Sequence, residues 1–191
     1  MIVECVILAA GLSSRMGKNK MLLKIDGKTA IERCVQAFDE SCSKIIVVTG
    51  RYHDDIQKCL APYDKVRIVY HPDYMRGMFS SVKAGIKHAH SERFFLTPGD
   101  YPLLKPEVIS QMMELSGCLV VPEHHGEQGH PVLLHQSLIP LILHSASSSL
   151  RDCIDSIAPK KQILPIDDIG VVTDMDTDLD YQAISYPFVT H

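Results

Sequence analysis

Nowhere in this chain do two cysteines form a C-x-x-C pair, although there are six, Cys5, Cys34, Cys42, Cys59, Cys118 and Cys153. That absence argues against structural zinc and a redox pair, and the scatter of the cysteines through apolar, periodic segments argues against a disulfide framework. They read as reduced, mostly buried thiols. Positive charge is not in excess either: 19 Lys and Arg against 23 Asp and Glu give a formal net charge of −4. Without the broad basic face of a nucleic-acid binder, a small anionic ligand held by a few local cations is the better expectation. Long apolar runs are missing, and the opening "MIVECVILAAG" has Glu4 and no basic leader, so neither a membrane span nor a signal peptide is expected. The protein reads as cytoplasmic. With 191 residues, 46% of them hydrophobic, and no linker or internal repeat, a single domain over residues 1–191 is expected.

What is present is an alternation of strands and helices. Residues 5–9 form a short continuous apolar run ending before glycine, the pattern of a strand buried on both faces. Similar runs follow at residues 44–49, 66–70, 93–97 and 118–121. Between them, Thr29 and Glu32 form a capping box ahead of Ile31, Cys34, Val35 and Phe38 at helical spacing. Ile56, Cys59, Leu60 and Tyr63 mark a second helix, Phe79, Val82 and Ile86 a third, and Val108, Ile109, Met112 and Met113 after Pro106 a fourth. This order predicts an α/β fold with a doubly wound, parallel sheet whose ligands bind at the carboxyl ends of the strands. Beyond residue 122 the pattern loosens into a loop feeding another strand, then a Ser-capped helix in "SASSSLRDCID".

Three stretches could carry chemistry. "LAAGLSSRMGKNK", residues 8–20, leaves the first strand at its carboxyl end, yet it is neither a Walker motif nor a G-x-G-x-x-G turn. Gly11 would let the backbone turn tightly, successive N–H groups would form an anion-binding concavity, and Arg15 and Lys20 would add charge. In "LTPGDYPLL", Asp100 lies at another strand end, where a carboxylate can hold Mg²⁺ or cap the Pro-rich turn. In "VTDMDTDLDY", a strand over residues 171–175 would send Asp174 and Asp176 to one side, letting one of them meet Asp100 across a metal, while helix capping is an equal alternative for Asp178 and for Asp176. The EF-hand spacing is absent there. His124 and His125 match no zinc pattern and read as an exposed loop, whereas His130, between Gly129 and Pro131, could point into the crevice.

Taken together and in order, "LAAGLSSRMGKNKMLL", "HPDYMRGMFSSVKAG", "LTPGDYPLL", "GHPVLL" and "DMDTDLDY" resemble the molybdenum-cofactor nucleotidyltransferases, most closely the cytidylyltransferase branch. The first motif is shared by many nucleotidyltransferases, and the second and fourth narrow the choice. The resemblance implies a Rossmann-like, mostly parallel sheet of the nucleotide-diphospho-sugar transferase type. It also implies transfer of CMP from CTP to a pterin phosphate, with Mg²⁺ between Asp100 and a residue near the C-terminus. By this resemblance Lys20, Arg15 and Asp100 are catalytic. Ala9, Ala10, Gly11, Arg15, Lys20, Ser80 and Ser81 bind the nucleotide, and His130 meets the second substrate. Cytidylyl members tend to read Ala-Ala-Gly where guanylyl members read Ala-Gly-Gly, and this chain has Ala9, Ala10 and Gly11. The family usually ends D-T-P-E-D where this chain has Asp176, Thr177, Asp178, Leu179 and Asp180, so Asp176 is preferred as second metal ligand with Asp174 left open. A client molybdenum enzyme belongs to the same expectation. The rivals are a guanylyl- or sugar-phosphate transferase and a non-catalytic cofactor carrier, the last of which would not need both carboxylates.

Overall fold

The computed structural model describes residues 2–13, 16–157 and 160–185. Its strands are β1 (Val3–Ala9), β2 (Lys24–Ile25), β3 (Lys28–Thr29), β4 (Lys44–Thr49), β5 (Val66–Tyr70), β6 (Arg93–Pro98), β7 (Leu119–His124), β8 (Glu127–Gln128), β9 (Val132–His135) and β10 (Lys161–Pro165). Its α-helices are α1 (Ala30–Asp39), α2 (His53–Leu60), α3 (Met78–Ile86), α4 (Pro106–Met113), α5 (Ile139–His144), α6 (Leu150–Ile157) and α7 (Asp178–Ser185).

The main sheet runs β10-β7-β9-β6-β1-β4-β5, with β8 paired to β7, while β2 and β3 form a separate hairpin. β1 is buried along its whole length because it lies between β4 and β6, parallel to both, and helices cover it on either side. Its side chains alternate accordingly. Cys5, Ile7 and Ala9 join the core beneath α1, α2 and α4, where Phe38 and Phe95 have ring centroids 5.6 Å apart. Val6, Leu8 and Ala10 join the opposite core beneath α3, α5 and α6. The Thr29–Glu32 capping box starts α1 as expected, and Ser149 caps α6 by accepting the Asp152 amide on its hydroxyl oxygen at 3.1 Å. All six cysteines are free thiols, four of them buried, one half-buried and Cys118 exposed. Among the described residues, no helix is long and apolar enough to cross a membrane.

The sheet is mostly parallel, as the resemblance implies, and β9 runs against that direction, antiparallel to β6 and to β7. The cause is local. β7 runs on to His124 and turns back through His125 and Gly126, both at positive φ, into β8, the two-residue geometry that closes a hairpin without a helical crossover. The structure does correct the reading of residues 171–175, which are not a strand. A 3-10 turn, Ile169–Val171, is capped by Asp168, and Gly170 passes so close to Leu103 that a Cβ there would stand 2.4 Å from the Leu103 carbonyl oxygen. The chain then continues without regular structure, tied by the Met175 amide to the Asp100 carbonyl at 2.9 Å.

Two glycines position the functional edge. A Cβ on Gly85 would lie 2.5 Å from Val6 Cγ1 and 2.7 Å from Val48 Cγ2, so glycine lets α3 rest directly on β1 and β4 with its first turn at their carboxyl ends. A Cβ on Gly99 would lie 2.8 Å from Ile31 Cδ1, and the Gly99 amide donates to the Leu8 carbonyl at 2.9 Å, which seats Asp100 beside the loop after β1.

Candidate active site

The carboxyl ends of β1 and β6 open into a crevice of about 500 Å³. Its floor is a charge cluster. Asn19 accepts the Met21 amide at 3.2 Å, starting the 3-10 turn Lys20–Leu22, and Lys20 is turned inward until only 8% of it is exposed. The Lys20 ammonium donates to Asp100 Oδ2 and, at 2.6 Å, to Asp176 Oδ1. Burial pushes this ammonium's pKa down, but Asp100 and Asp176 overrule that and hold it above the ordinary lysine value. Asp100 Oδ1 is out of solvent and, among the described residues, has no hydrogen-bond partner. Asp174 also lines the crevice, its carboxyl pushed up by burial and then by the negative charge of Asp176 and Asp100. Both acids left open by the sequence therefore reach the site, with Asp176 the one that pairs with Lys20.

The loop over the floor differs in detail from the expectation. Gly11 lines the crevice, but its φ is not positive and a Cβ there would meet nothing within 4 Å. The turn is made instead by Ser13 (φ 50°) and Gly17 (φ 64°), with the Met16 and Gly17 amides both donating to the Ser13 carbonyl at 3.1 Å. What Gly11 contributes is open space for a ligand against the backbone. Ala10 lines the crevice, while Ala9 faces the opposite core because strand side chains alternate. Ser81 is buried and lines the crevice. Ser80 does not line it, since its hydroxyl is held by the Gly77 carbonyl at 2.7 Å and His71 Nε2 at 2.9 Å. Arg15 lies outside the described residues.

Near the C-terminus, Thr177 and Asp180 form the cap of α7: the Asp180 amide donates to Thr177 Oγ1 at 3.2 Å, and Asp180 Oδ2 accepts the Asp176 and Thr177 amides at 3.1 and 2.7 Å. Asp178 is therefore not the cap. It pairs with Lys18 at 2.9 Å on the surface. Reciprocal capping does here what a proline at position 178 would otherwise do by fixing φ, and it fixes the backbone that presents Asp176.

His130 stands at the far wall. Gly129 is squeezed against Val171, whose carbonyl oxygen would be 2.0 Å from a Cβ, and the His130 amide donates to that carbonyl at 2.7 Å. The His130–Pro131 peptide is cis. The ring packs edge-on against Tyr101 with centroids 5.0 Å apart, and Nδ1 is buried and, among the described residues, without a partner. Burial pushes the imidazole down to about 4, with the Leu96 carbonyl pulling upward and the Arg151 charge downward. An NMR titration should find His130 neutral down to about pH 4. Because the unfolded chain takes up this proton near 6.5 and the folded one near 4, stability falls as pH drops through that window, by roughly 2–3 kcal/mol from this group. A His130→Gln variant should lose that part of the acid sensitivity.

Tyr74, Met75, Met78 and Tyr101 also line the crevice and were not assigned from the sequence. Gly50 would have flagged Tyr74 only in three dimensions: a Cβ there would lie 2.6 Å from Tyr74 Cγ, so the ring is seated on a glycine. Tyr101 adjoins Asp100 in the quoted motif, and burial followed by the surrounding carboxylates, Asp174 first, keeps its hydroxyl protonated. Outside the crevice, His124, His125 and Asp167 each bring one potential ligand atom within 4.8 Å of the others, on the exposed side of the β7–β8 turn.

Comparison with known proteins gives this site its context. A molybdenum cofactor cytidylyltransferase of Escherichia coli K12 is 31% identical over 181 residues, 94% of this chain and 93% of that protein. A molybdenum cofactor guanylyltransferase of Vibrio parahaemolyticus is 28% identical over 144 residues, 71% of this chain and 69% of its own length. The crystal structure of Rv0371c from Mycobacterium tuberculosis superposes with a TM-score of 0.87 at 21% identity, covering 97% of each chain, and its manganese complex does so at 0.82 and 18%, covering 98% of this chain and all of the other. Residues 5–161, from β1 to the first residue of β10, match the MobA-like NTP transferase domain, and the chain belongs to that family of nucleotidyltransferases.

Proposed function

We propose that this nucleotidyltransferase moves CMP from CTP to the terminal phosphate of molybdopterin or its molybdenum complex and releases pyrophosphate. The observation that carries the reading is the Lys20–Asp100–Asp176 cluster at the floor of a crevice whose upper wall is an open, glycine-containing loop. The acceptor phosphate oxygen attacks the α-phosphorus, a new P–O bond forms, and the bond to the bridging oxygen breaks to free pyrophosphate. An ionised phosphate needs no general base, so the protein's task is positioning and charge balance. Lys20 offers the triphosphate a fixed cation, amides of residues 10–13 offer donors, and Ser81 and Tyr74 border the nucleoside. Asp100 and Asp176 would hold Mg²⁺. The donor set fits a hard divalent ion: the oxygens are carboxylates, Asp100 Oδ1 has no other partner among the described residues, and Asp174 adds a third acid to the same crevice. When bound, the ion supplies countercharge to the phosphate oxygens. The relatives' names favour the molybdenum cofactor as acceptor, and a client molybdenum enzyme and a cytoplasmic setting complete the proposal.

The choice of CTP over GTP rests on Ala10, which lines the crevice and is 6% exposed. Its methyl would fill space beside a pyrimidine and crowd a purine, and overpacking of about 1–3 kcal/mol corresponds to a preference of about 5–150-fold. Ala10→Gly should lower that preference without making a good guanylyltransferase, because a lost clash adds no contact to guanine. Competition kinetics with both triphosphates decide the point. Equal use of GTP and CTP by the natural sequence would leave the transfer reaction standing and remove the cytidylyl assignment.

A further inference from the structure

The histidine pair that ends β7 stands beside a third donor from a distant part of the chain. Glu123 pairs with Gln128 of β8 on one side and with Pro165 of β10 on the other, and the Ile166 amide donates to the Glu123 carbonyl at 2.8 Å. This pairing delivers Asp167 directly beside the β7–β8 turn. His124, His125 and Asp167 thereby offer one ligand atom each, all within 4.8 Å of one another. No metal-binding spacing in the sequence announces the set, because its third member leaves a different strand.

The backbone prepares these groups for a cation. His124 Nδ1 lies 3.0 Å from the Ile166 carbonyl oxygen. A carbonyl oxygen only accepts, so Nδ1 carries the proton and Nε2 keeps the lone pair, the state in which a histidine anchored to the backbone binds metal. His125 takes φ 49°, in the left-handed region, and its ring returns to that of His124 with centroids 4.2 Å apart. Its Nε2 stands 4.0 Å from Asp167 Oδ1. Asp167 makes no hydrogen bond among the described residues, whereas its neighbour Asp168 is already engaged by the Gly170 amide and by Lys105, each at 2.8 Å. Donors on one tetrahedral ion stand about 3.3 Å apart, given bonds of about 2.0–2.1 Å, so rotation of the exposed His125 and Asp167 side chains closes the remaining gap.

Two imidazoles and a carboxylate form a mixed nitrogen and oxygen set, which suits Zn²⁺ and its first-row neighbours rather than Mg²⁺ or Ca²⁺, whose ligands are oxygens. We infer that the end of β7 and the segment after β10 form a surface Zn²⁺ site, with His124 Nε2, His125 and Asp167 as ligands and a fourth position open to water. It lies at the same edge of the sheet as the crevice, since β6 and β7 both run antiparallel to β9, but shares no lining residue with it. The ion ties the β7–β8 turn, which leads through Gly129 to His130, to the chain leaving β10.

The test dialyses the untagged chain against Zn²⁺, in excess Mg²⁺ to compete at the crevice acids, and follows the imidazole nitrogens by NMR at neutral pH. The expected result is saturable binding whose largest shifts fall on His124 and His125. His125→Ala and Asp167→Asn should each weaken that binding at least about tenfold, since even a partner behind a ligand is worth about 10–100-fold in metal affinity. These side chains are 80% and 97% exposed, so both variants keep the fold. Zn²⁺ should raise the melting temperature of the natural chain and leave that of His125→Ala in place, because an ion stabilises only the state that binds it. Cys118→Ser, which removes an exposed thiol, and His144→Ala, on α5, should bind Zn²⁺ as the natural chain does. Absence of saturable binding, or binding that survives both ligand substitutions, would overturn the site. So would loss of binding in Cys118→Ser, or shifts spread over all the exposed histidines, which mark an adventitious ion only. None of these outcomes bears on nucleotidyl transfer, because neither His125 nor Asp167 lines the crevice.

Discussion

Asp100→Asn should reduce pyrophosphate release by about 10²–10³-fold and leave a folded protein. The rate loss follows from the position of the carboxylate, which follows β6 on the crevice floor with one oxygen on Lys20 and the other buried and, among the described residues, without a hydrogen-bond partner. Deleting one preorganised electrostatic contact in a closed site commonly costs that much in rate. The fold should persist because the amide is nearly isosteric and Lys20 keeps Asp176 as a partner, whose side chain is 26% exposed and so partly solvated. Breaking a buried pair outright costs several kcal/mol, and the second carboxylate keeps this case below that. Circular dichroism melts and a Mg²⁺ titration of turnover make the test. Turnover close to that of the natural sequence at low Mg²⁺ would falsify the role given to Asp100.

How much of this was legible beforehand depended on burial. β1, β4 and β6 were readable because strands covered on both faces need apolar residues at every position, and short runs of that kind bounded by turn residues seldom arise in any other setting. β10 escaped because it is an edge strand: Lys161–Pro165 is half-buried at best and ends in proline, so its pattern is weak. α5 was lost in a short, almost wholly apolar segment with Pro140 in its first turn. The reversed direction of β9 does have a local signal, the His125–Gly126 pair flanked by residues able to pair across it. At the site, Lys20, Asp100 and Asp176 could be picked out singly, but their meeting could not. It depends on Gly99 fitting beneath Ile31 and on a capping box that uses Asp180, and neither is visible until distant segments are brought together. Gly11 shows the opposite error. A glycine after a strand suggests a conformational need, whereas the structure uses it as open space.

The second large effect separates two lysines that are two residues apart. Lys18→Ala should change turnover by less than about twofold, because its pairing with Asp178 is between side chains 49% and 57% exposed, where an ion pair is worth about 0–1 kcal/mol. Lys20→Ala should cost about 10²-fold or more. Its ammonium, with a side chain 10% exposed, is the charge that lets Asp100 and Asp176 sit together, with Asp174 lining the same crevice. Removing it takes a cation from the triphosphate and sets like charges against each other. Asp174, whose carboxyl the Lys20 charge pulls down against burial and its acid neighbours, then holds its proton to higher pH, so the acid limb of the pH–rate profile should move upward in Lys20→Ala and stay in place in Lys18→Ala. Lys20→Met, which keeps the chain's bulk, should behave like Lys20→Ala in both rate and profile if charge is what matters, and should recover most of the activity if packing is. Pyrophosphate release measured from about pH 5 to 9 for the three variants decides between charge and packing. Equal behaviour of Lys18→Ala and Lys20→Ala would remove the phosphate-cradle reading of the loop.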